Sequence, residues 1–180
     1  MNTSVTSRVP DVGRVPEAGR LGAEKGIFAP KPELLNVGDY IYRFASDVDG
    51  FGNVKSLGLH AGNWWIRQRD FELILNRAFQ TGVNLGQAAR WDLAVLPKWG
   101  SRMNVVIEAR ISQRLWAWTG PAKLQMETSP NGKVIRLLGC SQIRQLYLHD
   151  IVDQSGMLTP LGRGTLGISG AKVIESVGLY

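Results

Sequence analysis

The chain has few of the residues that build metal and disulfide sites. It contains one cysteine, Cys140, and two histidines in 180 residues. One cysteine forms no internal disulfide, and this set cannot supply the ligands of a typical zinc site. Cys140 lies between Gly139 and Ser141, where a small buried residue is the expected role and a nucleophile would need a histidine partner supplied by the fold. We therefore expect no metal.

Long apolar runs and the common nucleotide-binding motifs are also missing. No stretch approaches eighteen apolar residues, so we expect no membrane span and no membrane partner. The first thirty residues lack the apolar core of a signal peptide. We expect a protein made in the cytoplasm, with any export by a route that does not need that signal. No Gly-x-Gly-x-x-Gly follows a strand and no P-loop motif occurs, which argues against Rossmann and P-loop sites.

The composition is that of a globular domain with a basic surface. Hydrophobic residues make up 44% of the chain, charged residues make up 20%, and the formal net charge is +6. By charge alone, nucleic acid, a nucleotide cofactor and an acidic membrane surface all fit as an anionic partner, and of these we do not expect the membrane. The basic residues are scattered rather than gathered in a run, which argues against a dedicated DNA-binding tail.

The chain divides into three predicted segments. Proline, glycine and charge dominate residues 1–37, and four X-Pro pairs disfavour helix there. We expect a flexible leader, either a plain terminal arm or a secretion, tethering or packaging segment, whose first 35 residues can be deleted without loss of stability. A single globular domain is expected over 38–155. The remaining residues, 156–180, contain six glycines and are expected to form a glycine-rich tail or a last strand.

Periodicity places the elements of this domain. Alternation predicts strands over 40–46 and 62–66, and apolar residues at helical spacing predict a helix over 69–81. Asp70 is expected to cap that helix and Gly82 to end it, with a further helical turn over 85–90. Later strands are expected over 91–96, 104–111, 115–119, 133–138 and 142–149. Helix first and strands later predict an α+β fold with an antiparallel or mixed sheet.

Arg43 is a charged residue in the middle of the first predicted strand, between two aromatic residues. A charge at such a position is costly unless it is paired or faces a cleft. Its planar guanidinium suits a diphosphate, to which it binds in a bidentate manner. The alternative is a structural salt bridge to Asp39, Asp47 or Glu108.

The segment around the tryptophan pair is a candidate ring-binding wall. Trp64 and Trp65 are adjacent on a strand and so face opposite sides, which lets one enter the core while the other lines a pocket. Stacking of a nicotinamide or adenine ring on tryptophan is worth on the order of 1–3 kcal/mol. The alternative is two core tryptophans. Asn63 follows a glycine that lets backbone approach a ligand, and His60, in the preceding loop, is a candidate phosphate ligand or acid.

Two further residues are candidates for catalysis. Gln145 lies in an apolar strand on the same face as Ile143 and Tyr147, and a glutamine there needs hydrogen-bond partners. It could hold a ribose hydroxyl or a water, or be a satisfied structural residue. Glu108 lies mid-strand and is a candidate general acid or base, although no second carboxylate stands at a spacing that singles it out.

Together these segments resemble the ADP-ribosyltransferase-like superfamily, especially small NAD-consuming bacterial toxins of the tuberculosis necrotizing toxin type. Tyr42 and Arg43 match the arginine of that family's first strand, residues 62–65 match its nicotinamide wall, and Gln145 matches a late strand that presents a catalytic Glu or Gln. The resemblance covers residues 38–150. It implies a mainly antiparallel split β-sandwich with one or two helices, and NAD bound in the cleft as the substrate.

Departures from the family pattern narrow the expected activity. The Ser-Thr-Ser of the second strand and a late Glu-x-Glu are absent, which argues against arginine-directed transfer. One hypothesis is an NAD-consuming toxin or effector, either an NAD glycohydrolase or an ADP-ribosyltransferase with a protein or nucleic acid acceptor. The other is a non-enzymatic binding or assembly module, such as a virion component, that uses its basic surface and its N-terminal arm. A cleft that joins Arg43, one tryptophan of the pair and Gln145 would favour the enzyme.

Overall fold

The computed structural model describes residues 17–46 and 62–149, together with the strands at 158–159 and 171–176. The α-helices are α1 (Glu17–Ala23), α2 (Gln68–Thr81) and α3 (Leu85–Asp92), with a 3-10 helix at Pro97–Trp99. The strands are β1 (Lys31–Leu35), β2 (Tyr40–Ala45), β3 (Trp64–Arg67), β4 (Val105–Ile111), β5 (Leu115–Pro121), β6 (Gln125–Thr128), β7 (Val134–Leu137), β8 (Arg144–Tyr147), β9 (Leu158–Thr159) and β10 (Ala171–Ser176).

Most strands belong to one antiparallel sheet. In the described part of the chain its order is β1-β5-β8-β3-β2-β4-β10, and β9 pairs with β4 outside this path. Strands β6 and β7 form a separate hairpin. The predicted α+β class with a mainly antiparallel sheet is confirmed. The helices number three among the described residues, rather than the one or two expected.

The sheet is strongly curled. Arg67 on β3 forms an ion pair with Glu33 on β1, with Nη2 and Oε1 2.5 Å apart. Strands β5 and β8 lie between these two strands, so a flat sheet would separate them by roughly 14 Å. The ion pair therefore shows that the β1–β5 side bends toward β2 and β4 and encloses one face of the sheet.

The two faces of the sheet carry different cores. The enclosed face buries an aliphatic cluster around Trp65 that also includes Ile41, Ile107 and Leu146. The opposite face buries Ile66 and Tyr42 under helices α2 and α3. Register places Arg43 opposite Ile107, on the enclosed face, whereas Gln145 lies opposite Ile66, on the helical face.

The ends of helices α2 and α3, which lie between β3 and β4, agree in part with those predicted from local sequence signals. Helix α2 ends at Thr81, and Gly82 follows as its C-cap with a positive φ of 70°, in agreement with the prediction that this glycine ends the helix. Asp70, predicted as the N-cap, instead lies within the first turn and accepts a hydrogen bond from the Arg144 backbone N–H at 3.0 Å. Asn84 caps α3. The strand predicted over 91–96 is wrong, because α3 continues to Asp92 and Ala94 then adopts a positive φ of 51°.

The prediction of a flexible leader over 1–37 is wrong for the part that the structure describes. Strand β1 extends the sheet by pairing along its whole length with β5. Helix α1 and the turn after it pack on an aromatic platform, formed by Trp64, Trp118, Tyr147 and His149. A Cβ added to Gly22 on the helix would overlap the Tyr147 ring, and one added to Gly26 in the turn would overlap the Trp64 ring. The four X-Pro pairs predict a leader without regular structure. Helix α1 and strand β1 form nevertheless, because tertiary contacts rather than local propensity stabilise them. Residues 1–16 lie outside the described residues.

No helix in the described part of the chain is both long and apolar enough to cross a bilayer.

Candidate functional site

The site lies where strands β2 and β3 part. Their pairing covers Ile41 with Arg67 and Tyr42 with Ile66. Strand β2 continues to Ala45 and β3 begins at Trp64, but these halves are not paired with each other. The opening leaves side chains from both faces of the sheet next to one space.

A cavity of about 610 Å³ fills this opening. Its walls bring together six of the predicted site residues, namely Tyr42, Arg43, Asn63, Trp64, Trp65 and Gln145. Arg43 and Gln145 lie on opposite faces of the sheet and meet only because the strands separate. Lys25 and Trp99 add a second cation and a further aromatic side chain. Among the lining residues that the structure describes there is no carboxylate.

Arg43 is a buried cation without a counter-ion in the described part of the chain. Its Nε and Nη1 atoms are buried and have no hydrogen-bond partner there, although the side chain as a whole is partly exposed. Burial lowers the pKa of Arg43 to about 10, so the guanidinium remains charged at neutral pH. A Cβ added to Gly62 would overlap the guanidinium, so a side chain at this position would displace Arg43 from the place it now occupies. The Trp65 indole N–H donates to the Gly62 carbonyl at 2.7 Å and holds that backbone in place.

Trp64 is held as an open aromatic wall. Its ring meets Tyr147 edge to face, with centroids 4.9 Å apart. The Asn63 amide donates to the Tyr147 hydroxyl at 3.1 Å, which fixes both groups. Trp65 instead enters the enclosed core and is almost fully buried. The two rings therefore lie on opposite sides of the strand: Trp64 forms an open part of the cavity wall, whereas Trp65 borders the cavity but is mainly a core residue.

Gln145 is buried, and a hydrogen bond holds its amide. Its Nε2 donates to the Leu93 carbonyl at 3.0 Å across 52 residues of sequence. This bond links strand β8 to the turn after α3, which forms another wall of the cavity. One N–H of the Gln145 amide is engaged in this bond. A ligand could therefore be contacted by the amide oxygen and by the second N–H.

Tyr42 and Glu108 form a pair beside the cavity. The Tyr42 hydroxyl donates to Glu108 Oε1 at 3.2 Å, and its ring stacks on Phe71 with centroids 4.4 Å apart. Burial, followed by the nearby Glu108 carboxylate, raises the pKa of Tyr42, so the phenol stays neutral. Glu108 does not line the cavity. The structure therefore does not bring this predicted catalytic residue to the other candidates.

The wall opposite the strands comes from the segment after α3, which the sequence did not reveal as part of the site. Arg90 braces it by donating to the carbonyls of Val95 at 3.1 Å and Ser101 at 2.5 Å. Ala94 and Met103 have φ angles of 51° and 52°, so the backbone turns sharply at both ends of this wall. The sequence predicts a strand over residues 91–96, and nothing in it indicates that this segment forms a wall of the cavity.

The α1 side of the cavity could have been found from spacing. Gly19, Gly22 and Gly26 recur at helical intervals and present a face without side chains to the aromatic platform. Gly22, Lys25 and Gly26 line the cavity. His60, the predicted phosphate ligand or acid, lies outside the described residues. No cluster of three potential metal ligands occurs among the residues that the structure describes.

Comparison with known proteins supplies one fold relative. No protein-family model matches the chain, and no curated protein sequence matches it. A solved structure described as Rhs1-CT in complex with cognate immunity protein RhsI1 is similar to it, with a TM-score of 0.51. The match has 15% sequence identity and covers 83% of this chain and 96% of that one. The two chains share a fold.

Proposed function

We propose that the chain is a toxin or effector domain that binds NAD in the cavity and breaks its nicotinamide–ribose bond. The observation that carries this proposal is the Arg43 guanidinium, whose buried Nε and Nη1 atoms have no partner among the described residues, at a cavity that is also lined by aromatic and amide side chains. The proposal keeps the resemblance to the ADP-ribosyltransferase-like superfamily as its chemical template. The shared fold with Rhs1-CT supports the effector role, because that domain has a cognate immunity protein.

Arg43 is suited to the diphosphate of NAD. Burial lowers the pKa of Arg43 to about 10, so the folded chain holds this charge at a cost in free energy that no partner among the described residues offsets. A bound anion would remove this cost by supplying charge-assisted hydrogen bonds to Nε and Nη1. Gly62 keeps the approach to the guanidinium free of side chains. Lys25 adds positive potential at the α1 side of the same cavity.

The remaining walls fit the rings and hydroxyls of a dinucleotide. A volume of about 610 Å³ lies within the range of roughly 300–1,000 Å³ that is usual for ligand sites. Trp64, held by Tyr147, supplies a rigid stacking surface for nicotinamide or adenine. Asn63 and Gln145 supply amide groups for a ribose hydroxyl or a water.

The proposed reaction needs little acid catalysis. The C1′–N bond breaks with both electrons passing to the pyridinium nitrogen, so nicotinamide leaves as a neutral molecule. Water then forms the C1′–O bond and loses a proton to the solvent. Because the sugar develops oxocarbenium character, an amide oxygen of Gln145 would stabilise it or orient the water. Transfer to a protein or nucleic acid acceptor would follow the same bond cleavage.

A second candidate is NAD binding without turnover, in a non-enzymatic binding or assembly module. One observation favours it: Glu108, the carboxylate expected to assist catalysis, accepts a hydrogen bond from Tyr42 and stands outside the cavity lining. A binding module and an enzyme share the Arg43 contact and differ only in nicotinamide release.

The test is incubation of the purified protein with NAD, followed by chromatographic measurement of free nicotinamide. We expect release by the wild type and loss of release in Arg43→Lys, because a point charge does not replace the guanidinium fork. Arg110→Lys, at an exposed position on β4, is the matched control and should keep full activity. Binding of NAD with no release would support the binding module, and no binding at all would reject both candidates.

A further inference from the structure

The β6–β7 hairpin stands apart from the main sheet and has two different faces. Residues on one face, Gln125, Glu127, Ile135 and Leu137, are half-buried against the domain. Residues on the other face are exposed, and among them are the apolar side chains Leu124, Met126, Val134 and Leu138. Leu138 is 73% exposed and Val134 is 53% exposed. Such a group of aliphatic side chains on a two-stranded ribbon is typical of a binding surface.

The hairpin is attached to the rim of the cavity at two places. The Gln125 side chain donates to the Lys25 carbonyl at 2.8 Å, and the Lys123 backbone donates to the Gly26 carbonyl at 2.7 Å. Glu127 accepts a hydrogen bond from the Lys98 backbone at 3.3 Å, next to Trp99. Lys25, Gly26 and Trp99 all line the cavity. A molecule seated on the hairpin would therefore lie beside the cavity.

The charges around the exposed face of the hairpin indicate which kind of partner it binds. Arg136 is on the exposed face and Lys133 is exposed directly before β7, whereas Glu127, the acidic residue of the hairpin, faces the domain. A second copy of this chain would bring like charges together. The exposed face lacks the Trp and Tyr residues that are typical of a membrane interface. An acidic protein surface with an apolar centre complements both the charge and the aliphatic side chains.

We propose that the outward face of the β6–β7 hairpin is the docking site of an acidic inhibitor protein, which would be held next to the rim of the cavity. This inference rests on the proposed effector role and gives that role a surface and a partner. The partner is the counterpart, for this chain, of the immunity protein named for the structurally similar domain.

The inhibitor is first isolated by growth rescue. Bacteria that express the chain receive a genomic library from its source, and inserts that restore growth encode the probe. Its affinity is then measured by calorimetry against the wild type and against Leu138→Asp and Val134→Asp. We expect both substitutions to weaken binding by about 30-fold or more and to prevent rescue, because they bury a negative charge against an acidic partner. Nicotinamide release should be unchanged.

Val37→Asp is the matched control, because Val37 is also an exposed aliphatic residue. Val37 is also far from the hairpin. It follows β1 next to the Leu115 end of β5, whereas the hairpin follows the opposite end of β5, at Pro121. Its affinity should equal that of the wild type. Arg136→Glu is a second variant that keeps the apolar face, and it should slow association and reduce its dependence on salt.

Wild-type affinity of the hairpin variants, or the absence of any rescuing insert, would overturn the inference. If the hairpin variants escape the inhibitor but the wild type releases no nicotinamide, the proposed reaction fails and the docking site stands. If the wild type releases nicotinamide but the variants bind normally, the docking site alone fails. A chain that does not slow growth contradicts the effector role and this inference together.

Discussion

Arg43 differs from Arg67 and Arg77 in how its charge is balanced. Arg67 pairs with both Glu33 and Asp39, and Arg77 pairs with Asp92. Arg43 has two buried donor atoms with no partner in the described part of the chain. A fold retains such a residue at a cost to stability, and the simplest physical reason is an anionic ligand that restores the missing contacts.

At Gln145 the expected loss is mainly in turnover. Gln145→Ala should reduce nicotinamide release at saturating NAD by about 100-fold or more, because a positioned polar group is lost at the reacting sugar. NAD affinity should change less, since the diphosphate and ring contacts lie elsewhere. Loss of the hydrogen bond to Leu93 should lower the free energy of unfolding by about 1–3 kcal/mol.

The matched control for this change is Gln125→Ala. Gln125 also donates its amide to a backbone carbonyl, that of Lys25, but it does not line the cavity. It should retain wild-type turnover. Equal turnover in the two variants would remove Gln145 from the mechanism.

Asp92 provides a test of how burial affects stability across the acid range. Burial raises the pKa of Asp92, and the ion pair with Arg77 opposes this only in part. Because the folded state favours the protonated carboxyl, ionisation of Asp92 lowers stability as pH rises above about 4. The wild type should therefore lose stability relative to Asp92→Asn between about pH 4 and pH 7. Urea unfolding of both proteins at several pH values measures the difference, and the opposite slope would mean that Arg77 outweighs burial.

At the scale of elements, α1 tests whether the N-terminal segment belongs to the domain. Gly22→Ala should lower the free energy of unfolding by about 1–3 kcal/mol, because the added Cβ would overlap the Tyr147 ring. In an isolated helix the same change would raise stability by up to about 1 kcal/mol. The sign of the effect therefore distinguishes docked from undocked α1.

Leu21→Ala is the control on the same helix, since Leu21 is exposed. Thermal melting should show little change for this variant and a lower midpoint for Gly22→Ala. A higher midpoint for Gly22→Ala would show that α1 does not pack on the platform in solution.

The elements differ in how far their sequence determines them. Helix α2 was predictable because its apolar spacing and Gly82 are local signals. Strand β1 was not, because its five residues include a proline and only its pairing with β5 makes it a strand. Residues 91–96 are mostly apolar, like a buried strand, but the Asn84 cap and the continuing helix override that pattern through Asp92.

For the whole molecule, the site depends on topology that no local pattern encodes. The sequence indicated Arg43, Trp64 and Gln145 singly, from a charge, a ring and an amide in unusual strand positions. Their meeting depends on the parting of β2 and β3, which joins two faces of the sheet at one cavity. The spacing of Gly19, Gly22 and Gly26 indicates a packing face, but that spacing does not show that Lys25 reaches the cavity, and no local pattern indicates Trp99, because both segments meet the cavity only through the fold.

The central claim is that Arg43 is kept for a ligand and not for the fold. It is tested most directly by thermal melting of the wild type and Arg43→Met, with and without carba-NAD, whose ribose cannot form an oxocarbenium ion. Methionine keeps an apolar stem and removes the buried charge, so the variant alone should melt at least as high as the wild type. Carba-NAD should raise the melting temperature of the wild type only. A variant that melts well below the wild type, together with no shift of the wild type by carba-NAD, would contradict the account.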